Sequence, residues 1–341
     1  MHHIAIDLGS RESQVCVRDS TGKIVHEQKL TNLDLLELFE CPKAIVSMET
    51  CSEAFSVADR ARSRGHEVRV VPSSMVRSLG VGARRTKTDK RDARALSEVS
   101  CRLDDLPSVH VPSSWSREVK TVCSLRDALV SSRTKCINSV RGWLRAQLYR
   151  PRLPRKTLPR TLREEFASRG QALPSSIERQ LVAVETLSEQ IKAADVEIAA
   201  MATASEICVL LMSAPGVGPQ TALRFAAALD CYDRFTDAHQ VASYLGLAPG
   251  EDSSSSRKRI TSITKAGSAS VRWLLVEAAW TALRRRPDDA MCRWATRLAQ
   301  RRGSKIAVTA LARKLAGILY AIWRDRTPYD PKWSVVTSRL L

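Results

Sequence analysis

The sequence predicts an α/β N-terminal domain, then a region of long helices with coiled-coil character, then a mostly α-helical C-terminal domain. The chain opens with three strand-like segments and continues with alternating helix-like and strand-like segments, a pattern typical of a mixed sheet with helices on its faces. Farther along, apolar residues recur every three or four positions, as they do in amphipathic helices. We expect domains at residues 1–112, 113–205 and 206–341.

The N-terminal elements follow from turn residues and from the alternation of apolar side chains. The first three strands should form a meander, because turn residues 20–22 join the second strand to the third. Expected helices cover residues 33–39, 53–64 and 88–100, and expected strands cover residues 4–8, 14–18, 24–29, 44–48 and 68–71.

Two long amphipathic helices follow. One covers residues 119–148, and the other carries a near-heptad apolar seam from Ile177 to Met201. Between them, residues 150–163 contain three prolines and a dense basic run, which indicates a turn or linker able to touch phosphate. The helix pair suggests an antiparallel hairpin or a coiled coil that dimerises, with packing inside one chain as the alternative. Trp273, on an apolar face of a later helix, is expected in the core. Those later helices are expected at residues 220–229, 239–245, 269–285, 291–302 and 306–324.

The charge of the chain is strongly positive. The sequence has 54 Lys and Arg against 36 Asp and Glu, a formal net charge of +18, and its pI is near 9.9. Such an excess attracts polyanions, of which nucleic acid is the commonest. A basic protein without a nucleic-acid partner is the alternative, since charge alone names no reaction.

Cysteine usage and hydropathy point to the cytoplasm. The nine cysteines are dispersed, without a CxxC pair or a Cys/His cluster of zinc spacing. This argues against a zinc finger and against a disulfide framework. No apolar run approaches the ~18 residues of a membrane span, and the chain opens on the strand-like HIAIDLG instead of a secretion signal. We expect a cytoplasmic protein that is neither secreted nor membrane-spanning.

Four carboxylates are expected at one edge of the N-terminal sheet. Asp7 ends the first strand just before Gly9, and Glu49 ends a later strand, so the two acids converge if these strands are neighbours. Asp89 and Asp92 are three residues apart at the start of a helix and therefore project from one face. A structural role is the alternative for each acid, because an Asp after a strand is often a turn former and an Asp at a helix start is often a cap.

The chemistry of such a cluster points to a metal. Carboxylates packed together repel one another unless a cation neutralises them. An all-oxygen ligand set suits Mg²⁺ or Mn²⁺. Two such ions would clamp the attacking and leaving oxygens of a phosphoryl transfer. The pattern therefore predicts a divalent-metal site suited to phosphoryl transfer.

A glycine turn in the C-terminal region indicates a second contact with nucleic acid. The segment MSAPGVGPQTALRFAAAL, residues 212–229, resembles a helix-hairpin-helix motif. Gly216 and Gly218 would form its turn and let backbone N–H groups approach a phosphate. An ordinary Gly-Pro turn between two helices is the alternative.

Read together, the two halves of the chain resemble a known family. The N-terminal pattern resembles the ribonuclease H-like (RuvC-like) fold of Holliday-junction resolvases, in which acids on the first and fourth strands and on a later helix hold two metal ions. With KTDKRDA at residues 87–93, the segment YLGLAPGEDSSSSRKRITSITKAGSASVRWLLVEAAW at residues 244–280 is similar to the signature of DEDD-type insertion-sequence transposases, also called bridge-RNA-guided serine recombinases. The resemblance covers essentially the whole chain.

This resemblance implies roles for individual residues. The four acids would be the DEDD set. The nucleophile would be a serine a few residues after the Gly-Leu-x-Pro turn, a position that falls on Ser254, and it would form a phosphoserine link to DNA. In the family a glycine usually comes next, whereas Ser255 follows here, so Ser253 and Ser255 remain alternatives. The positive charges beside the serine would be Arg257, Lys258, Arg259 and Lys265.

The resemblance also implies a function and partners. The chain would excise and insert its own mobile element, acting on the element ends and the target DNA, with the target chosen by a guide RNA encoded beside the gene. It would work as a homodimer that assembles to a tetramer, in the bacterial cytoplasm at the nucleoid. Two alternatives stay open: a metal-dependent junction resolvase or nuclease that needs the acids but not the serine, and a basic dimeric nucleic-acid-binding protein whose acids are structural.

Overall fold

The structure, a computed structural model, describes residues 1–31, 33–76, 88–151, 154, 157–252 and 260–331. It divides into two compact units, Met1–Pro112 and Ser113–Leu341. The expected long-helix region and C-terminal domain both fall within the second unit, and their separation at residue 205 stays a prediction. The serine run 253–256 and the basic residues Arg257, Lys258 and Arg259 lie outside the described residues.

A five-stranded mixed sheet forms the centre of the first unit. Its strands are β1 (His2–Asp7), β2 (Glu12–Arg18), β3 (Ile24–Thr31), β4 (Ala44–Glu49) and β5 (Glu67–Val71). They lie in the order β3-β2-β1-β4-β5. β1, β2 and β3 pair antiparallel as the expected meander, whereas β4 runs parallel to β1, and β5 runs parallel to β4. The expected mixed α/β architecture is thereby confirmed.

Helices cover both faces of this sheet. The helices of this unit are a 3-10 helix (Asp34–Glu40), α1 (Ala54–Ser63), the short α2 (Ser73–Val76) and α3 (Asp89–Arg102). Because successive strand residues point to opposite faces, Ile4 and Ile6 of β1 pack on one side with Val57 of α1. Ala5, between them, packs on the other side with Leu96 of α3. The sheet is therefore buried on two faces, and α3 has a face of its own.

A helical hairpin begins the second unit. It is formed by α4 (Ser114–Ala146) and α6 (Ser175–Ala204), which pack along each other. The apolar seam of α6 is used within the chain, since Leu181 and Val184 join Val140 of α4 in a buried cluster. This is the intramolecular alternative for the seam. Dimerisation of the chain stays a prediction, and it is not needed to bury the apolar seam.

The expected turn or linker at residues 150–163 is partly wrong, because its second half begins helix α5 (Leu158–Ser168). Pro159 lies in the first turn of α5, where a missing N–H costs no helical hydrogen bond. Leu158 and Leu162 of α5 are fully buried between the two long helices. The prolines suggested an interruption, but this one pre-organises a helix start.

The rest of the second unit packs around α12 (Ser304–Asp325). Leu311, Leu315 and Leu319 of that helix are fully buried in a core that also includes Val119 of α4 and Ile198 of α6. These elements are α7 (Glu206–Leu211), α8 (Pro219–Leu229), a 3-10 helix (Tyr232–Arg234), α9 (Ala238–Tyr244), β6 (Pro249–Glu251), β7 (Ile260–Ile263), α10 (Ala269–Arg285), α11 (Ala290–Arg302) and α12 (Ser304–Asp325).

One described helix, α12, is long and apolar enough to cross a membrane by length and composition. Its apolar window is 67% buried inside the protein, as expected for the central helix of a packed core.

Trp273 of α10 was expected in the core, but it is 61% exposed. Its helical position places it opposite the buried residues Val271 and Leu275.

Candidate active site

Two of the four acids end adjacent parallel strands. In the pairing of β1 with β4, Ile6 lies opposite Met48 as the last matched pair. Asp7 and Glu49 are the next residues of their strands, so they reach the same edge of the sheet. Because alternate residues share a face, Asp7 lies on the face of Ala5, and Glu49 lies on the face of Ser47. The convergence expected from the sequence is therefore present at the level of strand register.

The helix α3 is fixed over this same face. Ser100 near its end lies 3.0 Å from His3 Nδ1 and 2.9 Å from Ser47 Oγ, measured from Ser100 Oγ. One turn earlier, Arg18 of β2 donates to Ser97 Oγ at 2.8 Å. His3 lies near the start of β1, at the end of that strand remote from Asp7, whereas Ser47 precedes Glu49 by two residues on β4. The helix consequently runs from the acidic edge toward the opposite edge.

Simple geometry then places the first turn of α3 at the acidic edge. Asp92 precedes Ser100 by two turns, a rise of about 12 Å along the helix. Asp7 follows His3 by four strand residues, about 13 Å along the strand. The two paths run the same way, so Asp92 and Asp89 come to the edge that carries Asp7.

An electrostatic contact supports this placement. Asp7, Gln14 and Lys29 lie opposite one another across β1, β2 and β3. The pKa of Lys29 is raised, chiefly by its hydrogen bond and ion pair with Glu12 at 2.5 Å, and in smaller part by the charge of Asp89. The carboxylate of Asp89 therefore acts on the row of the sheet that contains Asp7.

The acids share an edge without closing around a common point. Asp92 is 9% exposed, Asp7 and Glu49 are half-buried, and Asp89 is exposed. Within the described ranges, no three His, Cys, Asp or Glu side chains are close enough together to hold one metal ion. The alternative of a capping Asp89 is wrong, since Thr88 occupies the cap position and Asp89 is the first helical residue.

The donor chemistry at this edge fits a hard divalent cation. All four expected ligands are carboxylates, the donors that Mg²⁺ and Mn²⁺ prefer. Two of them end neighbouring strands, and two belong to the first turn of one helix. The same first turn is also favourable for negative charge, because it lies at the positive end of the helix dipole.

A tight turn directly follows Asp7. A side chain at Gly9 would clash with the backbone carbonyl oxygen of Glu12, where β2 begins. Only a residue without Cβ lets the chain reverse so soon after the strand. Gly9 therefore allows β2 to pair with β1 as far as Asp7, which lies opposite Gln14.

Residues that sequence reasoning missed hold α3 in place. Glu27 of β3 accepts hydrogen bonds from Arg94 of α3, one of them 2.5 Å long from Nη2, and Lys90 lies 3.6 Å away. The hydrogen bond from Arg94 lowers the pKa of the Glu27 carboxyl. These partners are 67 residues apart in sequence, so no local pattern marks them.

The serine run lies between two short strands. β6 and β7 pair antiparallel, with Pro249 opposite Ile263 and Glu251 opposite Ile260. Ser253–Ser256 and the basic residues 257–259 fall between these strands, outside the described residues. Lys265, just after β7, is described and exposed. The two ends of the loop are therefore held together by β pairing.

A clamp of glycines and one arginine, defined here as Gly246, Gly267 and Arg272, fixes the base of this ribbon. Both glycines have left-handed backbones, with φ of +70° and +66°. A side chain on Gly246 would clash with Ala266, and one on Gly267 would clash with the carbonyl of Tyr244. The Arg272 guanidinium donates to the carbonyls that the two glycines bring together, those of Leu245, Ala266 and Gly267.

The glycine turn before α8 is packed against another helix. Gly216 has a φ of +81°, and a side chain there would clash with the backbone of α10 at Ala278. Gly218 is the N-cap residue of α8, with Pro219 after it and open space around it. Gly216 is therefore close-packed, as in an ordinary turn between two helices. Gly218, at the start of α8, has open space beside it, as the helix-hairpin-helix interpretation requires.

A cleft of 570 Å³ opens beside this turn. Arg285 and Arg286 line it together with the turn residues. On the same cleft, the Tyr329 hydroxyl donates to both Asp289 carboxylate oxygens at 2.9 and 3.0 Å, and the Tyr329 N–H donates to Ser213 Oγ at 2.8 Å. Burial and then the hydrogen bond to Asp289 raise the pKa of Tyr329, so it remains a donor at neutral pH.

Comparison with known proteins identifies the family. Residues 208–293 match the family described as "Transposase IS116/IS110/IS902 family", and residues 4–148 match the DEDD-type domain of IS110 elements, described as "Transposase". The chain is 30% identical to a probable family 20 transposase of Pseudomonas aeruginosa, over 97% of this chain and 99% of the relative.

Further relatives agree. The transposase for insertion sequence element IS1111A of Coxiella burnetii is 27% identical over 96% of this chain and 90% of its own length. The transposase for insertion sequence element IS1328 of Yersinia enterocolitica is 27% identical over 96% and 98%. The chain belongs to the IS116/IS110/IS902 family of transposases.

Membership fixes the general activity. A transposase cuts DNA strands and rejoins them, so this chain is a DNA strand-transfer enzyme and DNA is its substrate. The DEDD-type domain at residues 4–148 indicates dependence on a divalent metal. The alternative of a binding protein without enzymatic activity is thereby set aside.

Proposed function

We propose that the chain moves its own element by strand exchange, with Asp7, Glu49, Asp89 and Asp92 holding divalent metal and a serine of the run 253–256 attacking DNA. The observation that carries this proposal is the single edge to which β1, β4 and the first turn of α3 bring the four acids. The placement on a first strand, a fourth strand and a later helix also supports a ribonuclease H-like fold for the first unit.

The proposed metal is Mg²⁺, with Mn²⁺ as a substitute. When bound, it would polarise the phosphodiester and stabilise negative charge on the reacting oxygens. The protein supplies the carboxylates and their directions. Asp92 is the most constrained of them, because it is 9% exposed and sits on the helix that Ser97, Ser100 and Arg94 tie to the sheet.

The proposed nucleophile is Ser254, with Ser253 and Ser255 as alternatives. Its Oγ would bond to phosphorus as a DNA hydroxyl leaves, and its proton would pass to a neighbouring base. Reversal by a different DNA hydroxyl releases the serine and joins new strands, so the phosphoester bond is conserved without a nucleotide cofactor. The clamp of Gly246, Gly267 and Arg272 supports this role by anchoring the segment that carries the serines.

Positive groups would hold the DNA backbone. We assign this role to Arg257, Lys258, Arg259 and Lys265 near the serines, where they also offset charge that develops on phosphate. We assign a second contact to the backbone N–H groups at Gly216 and Gly218, beside the cleft that Arg285 and Arg286 line. These contacts read no base sequence.

The proposal has two further parts. An element-encoded guide RNA chooses the target, and the chain acts as a homodimer that assembles to a tetramer in the bacterial cytoplasm. They rest on the resemblance of the KTDKRDA and serine-loop motifs. Sequencing RNA that copurifies with the chain tests the first point. Recovery of no transcript from DNA flanking the gene, in a preparation active for strand exchange, would remove it.

The metal role is tested by Asp92→Asn in a strand-exchange assay between donor and target plasmids. Loss of the charged ligand should reduce exchange by at least about 100-fold, because metal ligands contribute several kcal/mol to such reactions. Glu98→Gln on the same helix is the control, since Glu98 is exposed and pairs with Arg102. Exchange that persists in Asp92→Asn, or without divalent metal, contradicts the DEDD assignment.

The serine role is tested by replacing Ser253–Ser256 singly and together with alanine. A DNA substrate that loses its leaving strand should trap a covalent protein–DNA adduct, and the adduct should vanish with the true nucleophile. Ser262→Ala in β7 is the matched control, because it is an exposed serine of the same ribbon. Full exchange by the quadruple variant would favour the other enzyme class, a metal-dependent resolvase or nuclease.

A further inference from the structure

The tip of the α4–α6 hairpin carries a second basic concavity. A cleft of 440 Å³ lies where α4 ends and the chain turns toward α5. No acidic side chain is among the described residues that line it. The lining residues are Arg141, Leu144, Arg145, Tyr149, Arg150, Pro151, Pro154 and Leu158, which we call the tip cleft.

Arg145 and Arg150 of the tip cleft differ in their ion pairing from other arginines nearby in the chain. Nearby arginines are neutralised: Arg163 by Glu178 and Glu185 at 2.7 and 2.6 Å, and Arg160 by Glu164 at 3.6 Å. Arg145 and Arg150 are exposed, and neither forms an ion pair with any residue that the structure describes. Arg145 and Arg150 therefore bring positive charge to the cleft that no described carboxylate pairs with.

The arginines stand on a rigid base. Arg141 and Arg145 are one helical turn apart on α4, about 6 Å along its axis, and so share a face. Leu144 and Leu158 beneath them are buried in the hairpin core. The cleft is consequently formed without a ligand.

Its aromatic wall is fixed as well. The Arg169 guanidinium lies 4.5 Å from the centre of the Tyr149 ring, and its Nη2 donates to the Tyr149 hydroxyl at 2.9 Å. Arg169 is itself held by Glu165 at 2.8 Å. Tyr149 thus presents a fixed surface beside the charged groups.

A ligand for this cleft must be anionic, must carry more than one charge along its length and must tolerate exposure to solvent. A sugar-phosphate backbone has these properties, and guanidinium groups bind phosphate oxygens in paired hydrogen bonds. We propose that the tip cleft binds the phosphodiester backbone of nucleic acid, with Arg141, Arg145 and Arg150 as the contacting residues. This rests on the proposed function only in taking nucleic acid as substrate or guide.

Two sources share this chemistry, duplex DNA and RNA. The test measures binding of labelled duplex DNA and labelled RNA to the full-length chain by fluorescence anisotropy across salt concentrations. The double variant R145Q/R150Q should bind its cognate source about 10-fold more weakly near 0.1 M salt, with a salt slope reduced by about 1.8 for duplex or about 1.4 for single strands. R160Q is the matched control, since its arginine already has a carboxylate partner.

Loss confined to the RNA arm assigns the cleft to RNA, and loss confined to the DNA arm assigns it to duplex. R145K/R150K keeps the charge and should retain most of the salt slope, which separates lost binding from lost folding. Unchanged affinity and slope in R145Q/R150Q, in both arms, would overturn the proposal. Introduced into Asp92→Asn, which should lack strand exchange, R145Q/R150Q should cause the same loss of affinity and salt slope, so failure of the catalytic proposal is distinguishable.

Discussion

At the scale of single residues, glycine and aspartate are tied together at the acidic edge. Asp7 sits at the last position of β1, and Gly9, two residues later, lies in the turn that leads into β2 at Glu12. An acid at a strand end is common. Here the acid is followed by a turn in which position 9 has no room for a side chain. The position of Asp7 depends on that turn as much as on the strand.

Gly9→Ala is expected to destabilise the protein by about 2 kcal/mol, because the new methyl group clashes with the Glu12 carbonyl and the backbone must shift. Strand exchange should fall as well, since the shift moves Asp7. Thermal denaturation and the plasmid assay measure the two effects. Gly142→Ala in α4, where an added methyl group meets nothing, should be stabilising by up to about 1 kcal/mol. An equal response of both variants would contradict this explanation.

Residue types alone indicated the four candidate acids but not the side chains that hold their helix and strands in place. Asp7, Glu49, Asp89 and Asp92 stand in short patterns that a reader can find, each at the end of a strand or the start of a helix. Arg272, the anchor of the serine ribbon, stands in a helix start without any local signal, because its partners are backbone carbonyls of other segments. Side chains that hold loops through carbonyl oxygens leave little trace in sequence.

At the scale of elements, α3 is the helix on which the acidic edge depends. It carries Asp89 and Asp92. The ion pairs of Glu27 with Arg94 and Lys90 attach it to β3, the edge strand farthest from the parallel part of the sheet. The Glu27 side chain is 16% exposed, so its ion pair is partly protected from water. The docking of α3 should consequently depend on the ionisation of Glu27.

Acid is expected to weaken this docking. The pKa of Glu27 is lower in the folded protein than in the unfolded chain, where a Glu has a pKa of about 4.3. Its contribution, about 1 kcal/mol after allowance for solvent screening, is therefore complete above that value and is lost as pH falls through the lower folded pKa.

The variant Glu27→Gln tests this at pH 7 and near pH 3 by thermal denaturation. It should melt below the wild type at pH 7, and the gap should close at the acid end. Glu37→Gln, an exposed acid of the same unit, should show no such convergence. A gap of constant size would mean that Glu27 acts through packing instead of charge.

Regular elements were predicted well, because their periodicity is local. The first, fourth and fifth strands, α3 and the long helices α4 and α6 all lie where the apolar patterns put them. The start of α5 was missed, since Pro159 can break a helix or begin one, and the choice depends on the burial of Leu158 and Leu162. Trp273 was misplaced because its helix is apolar on more than one face.

At the scale of the whole molecule, each unit has its own core. The buried clusters of the described residues that include Ile4 and Ala5 stay within residues 1–112, and those that include Val119 and Val140 stay within the second unit. A chain segment with a sheet packed on both faces and a core of its own meets the usual conditions for independent folding.

Residues 1–112 alone are therefore expected to unfold cooperatively. Calorimetry should give an unfolding enthalpy of about 80 kcal/mol near 60 °C, the value usual for a domain of this length. The fragment 1–102, which lacks Leu106 and Val111 of the two buried clusters, is the control and should be markedly less stable. A broad transition without an enthalpy peak in the longer fragment would show that the first unit depends on the second.

The clamp beneath the serine ribbon has a consequence for engineering. Gly246, Gly267 and Arg272 set the entry and exit of the segment through contacts with the backbone of residues 244–245 and 265–267. Residues 252–259 can then be treated as an exchangeable cassette. Loops of different length or serine spacing can be grafted between Glu251 and Ile260 while the scaffold beneath them stays the same. Reactivity of the nucleophile is in this sense separable from stability of the fold, and libraries confined to these eight positions should return mostly folded proteins.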